Sequence, residues 1–547
     1  MKRWRGKGLI AGLSVAMLVG LTAACSGNNE DTAASSSGAA SESATSETSA
    51  EASAGLKYPA SLTYWVPMET DAAVTIKDYN EMGLYKELEK RTGTHVEFQH
   101  PPAGEAQTKD QFNLMMATGK LPDAIYTNWA SNAPDKAIKD GKIIRLNELI
   151  DQYAPNLAQI LKDKPNIRKL ITTDEGNIYA FPLIGTDPPV YAYNGLMIRK
   201  DWLDKLNLAV PTTIDEWEKA LMAFRDGDPN GNGKKDEIPY FYRQTDVESS
   251  YPFIGAYGIA PGFFQENGTV KYGPTEPAYK DYLTLMNKWY SEGLIDKDYL
   301  TSDTKIRDNK VLSDQLGALA GWAGSGLGGY MQLKKDKDPS FKLVGTPFPS
   351  LKPGEKAISK GTAVITGLGT AISASVKNPE EIAAWLDYGY GKDGSLLYNF
   401  GVEGESYKLV DGKPQYTDLI LHNPKNLSVS QALSTYALQT SGGPFASDPE
   451  ADRQWHSDPE QSEAMAVWAD ADHSKDLPGS LLSADEQAKF ASIMTDLNTY
   501  NSEMTNKFIM GQEPLSKFDD YVKTLKQLGI EEAIKLNQGA YDRFTSK

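Results

Sequence analysis

Between Leu62 and Tyr126 the chain switches back and forth between two periodicities, and that alternation restricts its fold more than any other feature. Leu62-Thr-Tyr-Trp-Val66 reads as a strand, and Tyr79 to Thr92 as an amphipathic helix with Leu84, Tyr85 and Leu88 on one face. Thr94-His-Val-Glu-Phe98 alternates with period two and forms a second strand. Gln107 to Thr118 is a helix, and Leu121-Pro-Asp-Ala-Ile-Tyr126 leads into a third strand. Strands and helices in this succession specify an α/β fold built on a doubly wound sheet.

Leu146 to Lys169 adds helices, and Glu175 to Ala180 a hairpin. Two extended, breaker-poor runs then interrupt the pattern, Tyr191–Arg199 and Gly361–Ala374. Thr213-Ile-Asp-Glu216 is a capping box, and the helix it opens buries Trp217, Leu221 and Phe224. Helices follow at Pro277–Glu292 and Thr301–Ser313, then a short strand, Gly317–Trp322, ending in a glycine-rich turn. A helix at Asn378–Tyr390 precedes the hairpin turn Asp411-Gly412, and Ala464 to Lys547 is helical. Trp202, Trp217, Trp289 and Trp385 have apolar neighbours at helical spacing and read as core.

The segment Asp228-Pro-Asn-Gly-Asn-Gly-Lys-Lys-Asp-Glu-Ile-Pro239 places oxygen side chains at Asp228, Asn230, Asn232, Asp236 and Glu237 around a sharp-turn glycine, Gly233. A hard cation such as Ca2+ takes roughly six to eight oxygen ligands in a flexible cage, which such a loop can supply. Its start matches the EF-hand pattern, but Pro239 stands at the twelfth position, where that pattern has glutamate. A free-standing structural calcium loop is therefore expected, with the Lys234 carbonyl completing the shell. The alternative is an Asx/Gly turn without metal.

At the N-terminus, Lys2, Arg3, Arg5 and Lys7 precede an apolar run, Leu9 to Leu21, too short to span a bilayer stably. Thr22-Ala-Ala-Cys25 follows, and Cys25 is the single cysteine of 547 residues. This resembles a bacterial lipobox, with Thr22 where leucine is commoner. Residues 1–24 are then a signal peptide and Cys25 the lipidated terminus; the alternative is an ordinary secretory signal followed by a free thiol. Of the 30 residues from 26 to 55, 20 are Ala, Ser or Thr and five are acidic. Such a segment cannot bury enough apolar surface to offset its ordering entropy, so 25–56 is expected to be a disordered tether. The net charge of −17 argues against nucleic acid or an anionic membrane surface as partner. Membrane attachment is expected through the lipid alone.

The body resembles the extracellular solute-binding proteins of the family 1 type, the sugar-capturing partners of ABC importers. Met197-Ile-Arg-Lys-Asp-Trp-Leu-Asp-Lys-Leu206 followed by Val210-Pro-Thr-Thr-Ile-Asp-Glu-Trp217 carries most of the resemblance. Leu121-Pro-Asp123, Asn378-Pro-Glu-Glu-Ile-Ala-Ala-Trp385 and Gly404-Glu-Ser-Tyr407 stand in the matching order and spacing. The loop at 228–237 is similar to that of alginate-oligosaccharide-binding members, whose calcium ligands fall on Asp228, Asn230, Asn232, Lys234, Asp236 and Glu237. The resemblance implies a two-lobed periplasmic-binding-protein-like fold of type II, with discontinuous lobes joined by a hinge and a ligand cleft between them. One lobe is expected from 57–189 and about 366–430, the other from 190–365 and about 431–547. The resemblance further implies a non-enzymatic monomer, lipid-anchored on the extracellular face of the cell membrane, that delivers an oligosaccharide to ABC permease subunits.

Sugars present apolar C–H faces and hydroxyl rims, so aromatic rings and polar side chains at strand ends and turns are the expected contacts. Trp65, Asn128 and Trp129 lie at strand ends, Tyr191 and Tyr193 at the first crossing, and Trp322 in its glycine-rich turn. Glu403 and Tyr407 flank a hairpin, and Trp455 lies in a polar loop. For the loop tryptophans the competing role is packing between lobes; for Glu403 it is a solvated hairpin. Two other functions compete. A surface glycoside hydrolase needs two carboxyls flanking the scissile bond, and 73 acids supply many pairs, but no strand-end acids repeat on a barrel pattern. An importer protein for a peptide would keep the architecture and change only the cleft. Neither His-Glu-x-x-His nor Gly-x-Ser-x-Gly occurs, which disfavours zinc and serine-triad chemistry.

Overall fold

Strands in the computed structural model run in chain order as β1 Ser61–Trp65, β2 His95–Gln99, β3 Ala124–Asn128, β4 Phe181–Ile184, β5 Asn194–Arg199, β6 Ile238–Phe241, β7 Phe263–Glu266 and β8 Thr269–Tyr272. They continue as β9 Leu316–Trp322, β10 Leu343–Gly345, β11 Ile365–Ile372, β12 Tyr407–Val410 and β13 Lys413–Tyr416. The structure describes residues 55–186, 192–438, 442–456, 458–478 and 482–546. Cys25, the signal segment, most of the tether and Tyr191 lie outside them. Among the described residues no helix is long and apolar enough to cross a membrane.

The alternating segment forms β1, β2 and β3, separated by the helices Gly83–Thr92 and Glu105–Thr118. The first of these helices buries Leu84, Tyr85 and Leu88 and stops where Gly93 turns left-handed at φ 73°. The three strands pair in parallel in the order β2-β1-β3. β11 then adds antiparallel to β3, and β4 antiparallel to β11, so the sheet reads β2-β1-β3-β11-β4. A second sheet has the order β10-β5-β9-β6, with β9 antiparallel to β5 and parallel to β6. Each sheet has its own apolar core. Tyr64, Leu88, Tyr126, Phe181, Trp385 and Phe445 pack in the first; Trp202, Trp217, Trp289, Trp468 and Phe508 pack in the second.

Local chemistry explains the element ends. Thr213 accepts from the Glu216 N–H at 3.3 Å while Glu216 accepts from the Thr213 N–H at 3.2 Å, which starts the helix Ile214–Asp226. The helix expected from Thr301 begins at Thr304, because the Asp303 carboxylate caps it by accepting from the Ile306 N–H at 2.8 Å. The run from Gly361 does not become strand until Ile365, and a bulge interrupts it between Ile365 and Gly369. Asp411 and Gly412, at φ 51° and 75°, make the tight turn between β12 and β13.

Three chain segments pass between the halves: β4 to β5, β10 to β11, and the stretch from Phe445 to the helix Pro459–Ala469, which packs on β5 and β10. They run side by side at the crossing. Ile184 N–H donates to the Phe445 carbonyl at 3.0 Å, Ser447 N–H to Ile184 at 2.8 Å, and Gly185 N–H to Val364 at 2.8 Å.

Candidate functional site

The crossings leave the first sheet at one edge. β1 and β3 end there at Trp65 and Asn128, and β11, running the other way, begins there at Ile365. In open α/β sheets this carboxyl edge, outside the strand ends, is where ligands lodge. Asn128 shapes it: its side-chain Oδ1 accepts from the Ser131 N–H and its side-chain amide donates to the Thr366 carbonyl, both at 3.3 Å. Gly367 passes so close that a Cβ there would lie 2.7 Å from Asn128 Oδ1 and 2.6 Å from the Ala130 Cβ, and its φ is +85°. Only glycine fits this approach.

A cavity of about 380 Å3 opens against this edge. Ser131, Tyr179, Thr366 and Gly367 line it from the first half, and Gln487 and Phe490 from the long helix Ala484–Ile509 of the second. The lining thus combines aromatic faces with hydroxyl and amide groups, the mixture that suits a polyhydroxylated ring. Burial, aided by Asp135, pushes the Tyr179 hydroxyl above its ordinary range, so it stays protonated and able to donate. None of Ser131, Tyr179, Thr366, Gln487 and Phe490 was indicated by sequence. Phe490 and Gln487 sit within a helical run with no motif around them, and only tertiary packing brings them to the sheet edge.

The remaining sequence candidates differ in exposure and surroundings. Trp322 stands at the carboxyl end of β9, opposite Asn194, and is 54% exposed. Tyr193 is half-buried at the start of β5; its hydroxyl donates to Asp452 and its ring lies 5.5 Å from His456. Trp455 is partly buried at the end of the helix Pro449–Trp455, and Glu403 is exposed on the loop ahead of β12. Trp65, Trp129 and Tyr407 correct the expectation that all the strand-end and hairpin aromatics face the cleft. Phe112 folds down from the helix Glu105–Thr118 onto Trp65 and Trp129, with ring centroids 5.9 and 5.7 Å away, and encloses both in a small apolar cluster. Trp129 donates its indole N–H to the Ile125 carbonyl at 3.0 Å, leaving no polar edge for a ligand. Tyr407 packs against Phe400 and Tyr416 beneath its own hairpin.

The loop after the helix Ile214–Asp226 has its oxygens turned onto its own N–H groups. Asp228 accepts from the N–H groups of Asn232 and Gly233, both at 3.1 Å. Asp236 accepts from the Asn230 and Asn232 amides at 3.1 and 3.0 Å, and these contacts hold its carboxyl below the usual range. Glu237 is different. Its Oε1 is buried without a hydrogen-bond partner, and burial, with Asp228 and Asp236 adding repulsion, raises its carboxyl above the usual range. Among the described residues no three His, Cys, Asp or Glu side chains are gathered to hold a metal ion. The loop's side-chain donors are nonetheless all oxygen, and a hard cation would give the orphaned Glu237 oxygen a partner. The residues fit calcium.

Residues 72–395 match the family model described as Bacterial extracellular solute-binding protein. Among known proteins, the fructooligosaccharide ABC transporter substrate-binding protein FusA of Streptococcus pneumoniae serotype 4 is 27% identical over 499 residues, covering 87% of this chain and 90% of its own. Lipoprotein LipO of Bacillus subtilis strain 168 is 27% identical over 464 residues, covering 82% of this chain and 87% of its own. The crystal structure of alginate-binding protein AlgQ2 without calcium ion is 28% identical and matches 88% of this chain and 98% of that one with a TM-score of 0.71.

Proposed function

We propose, for a chain that belongs to the bacterial extracellular solute-binding proteins, that it captures an oligosaccharide between two lobes and hands it unchanged to the permease of an ABC importer. It is a binding protein, and its relatives are substrate-binding proteins of importers rather than enzymes. One observation carries the choice of ligand and place: the cavity at the carboxyl edge of the first sheet, walled from both halves by Tyr179 and Phe490 with Ser131, Thr366 and Gln487 among them. Aromatic faces take the C–H side of a sugar ring and the hydroxyls and amide take its rim. The fructooligosaccharide- and alginate-binding names among the relatives support a carbohydrate ligand.

In this reading each lobe is discontinuous, the three crossings form the hinge, and bending there opens and closes the cleft. Trp322 and Tyr193 contribute from the second lobe, with Asn128 shaping the first. Asp228, Asn230, Asn232, Asp236, Glu237 and the Lys234 carbonyl hold a structural calcium ion, which would neutralise the acids of that loop when bound. Cys25 carries the lipid, and the tether lets the body range outside the membrane.

Isothermal calorimetry against kestose, alginate oligosaccharides and galacturonan oligosaccharides tests the ligand class. At least one should bind at a single site and be recovered intact by chromatography. A silent panel, with heat from a peptide mixture instead, overturns the sugar assignment. Cleavage products overturn transport.

A further inference from the structure

Beside the cavity lies a set of contacts between the halves, made where the helix Ala484–Ile509 begins and the helix Ile530–Ser546 ends. Arg543 is their centre. Its guanidinium donates to both Glu486 oxygens, at 3.0 and 2.6 Å, and its Nε donates to Asp174 on the first half. Next to Glu486, Gln487 donates its amide to the Ala130 carbonyl at 2.8 Å. Next to Arg543, the Phe544 ring lies 4.5 Å from the Lys169 ammonium. Asp174 and Lys169 sit among Ile167, Ile171 and Ile178 of the first core, whereas both helices pack in the second. Ala130 and Gln487 also line the cavity, so their hydrogen bond joins the two halves at its edge.

Glu486 is fixed before Arg543 meets it. Its carboxylate accepts from the Ser483 N–H at 2.8 Å, and its own N–H donates to Ser483 Oγ at 3.3 Å, a capping box that starts the helix. Less side-chain freedom is then lost when the ion pair forms. The side chains of Arg543, Asp174 and Glu486 are 37, 20 and 23% exposed, within reach of water and salt. Such a network biases an equilibrium without locking it.

We propose that Arg543, Asp174 and Gln487 form a latch that holds the lobes closed over the cavity in the absence of ligand and parts to admit it. The proposal rests on the two-lobe binding reading. Removing the charge of Arg543 lowers the closed-to-open ratio about three- to tenfold. Molar salt does the same by screening the pairs.

The test uses the full chain carrying Cys25→Ser, so that Lys86→Cys and Lys523→Cys, on exposed helix faces of the two halves, take the only spin labels. Double electron–electron resonance on ligand-free protein should give a dominant short distance. Arg543→Gln and Asp174→Asn should each move population to longer distances, and the double variant should add nothing further. Asp174→Asn leaves the Arg543–Glu486 pair and the helix cap intact, so its effect does not depend on local unfolding. Superimposable distance distributions in parent, both variants and 1 M salt overturn the latch. Calorimetry with the oligosaccharide panel reports separately on the binding reading, which survives a failed latch if heat is still seen.

Discussion

Trp322 is 54% exposed at the end of β9, whereas Trp129 is fully buried with its indole N–H given to Ile125 at 3.0 Å. Trp322→Ala should weaken oligosaccharide binding about tenfold or more in calorimetry, from stacking of roughly 1 kcal/mol plus lost apolar area, with little change in stability. Trp129→Ala should instead lower unfolding free energy by about 3–5 kcal/mol in denaturant titration. Sequence alone could not separate the two, since both end strands beside small or polar residues. Phe112 decides the matter, and its approach to Trp129 depends on how a whole helix folds back. Asp387 gives a pH signature. It is 1% exposed, accepts from Leu157 N–H, Asn156 N–H and the Asn156 amide at 2.8, 3.0 and 2.8 Å, and burial outweighs these contacts to push its carboxyl up to about 6. A raised carboxyl pKa favours the protonated fold, so its contribution is complete below about pH 4 and is lost as pH rises through about 6. The loss is on the order of 2–3 kcal/mol. Denaturant midpoints should show that slope in the parent chain and lack it in Asp387→Asn; equal slopes would contradict the burial argument.

Elements whose ends are set by neighbouring residues were legible: the Thr213–Glu216 capping box, the Asp411-Gly412 turn and the Thr92 end of the first helix form where local chemistry requires them, although that helix begins at Gly83 after a separate turn at Tyr79–Glu81. The pairing of β11 was not, because Thr370 meets Tyr126 on one side and Phe181 on the other, all distant in sequence. The loop at 228–237 is local in the same sense, and its oxygen side chains are proposed as calcium ligands from their spacing and the family resemblance. Calcium at a hundredfold its dissociation constant stabilises the native state by about 2.7 kcal/mol. Chelator should therefore lower the melting temperature by roughly 2–3 °C, and Asp228→Ala should melt identically with and without chelator. An unchanged parent curve would leave the loop as a turn held by its own amides.

At the scale of the molecule, the alternation from Leu62 to Tyr126 announced an α/β body, and the two breaker-poor runs mark where the chain changes sheets. The third crossing is expected near residue 430 on the family resemblance, whereas Leu438 and Phe445 still pack in the first core; the cavity wall at Gln487 and Phe490 could not be read, because it depends on contacts across hundreds of residues rather than on periodicity. Those same long contacts make the central claim testable, since a ligand held between lobes must protect both at once. Hydrogen exchange should be measured on the chain alone and with the tightest-binding oligosaccharide of the panel. Capture between the lobes predicts that amides at 129–131, 365–367 and 485–491 slow together in the complex. Protection confined to one side of the cavity, or absent from all three segments despite binding, would contradict it.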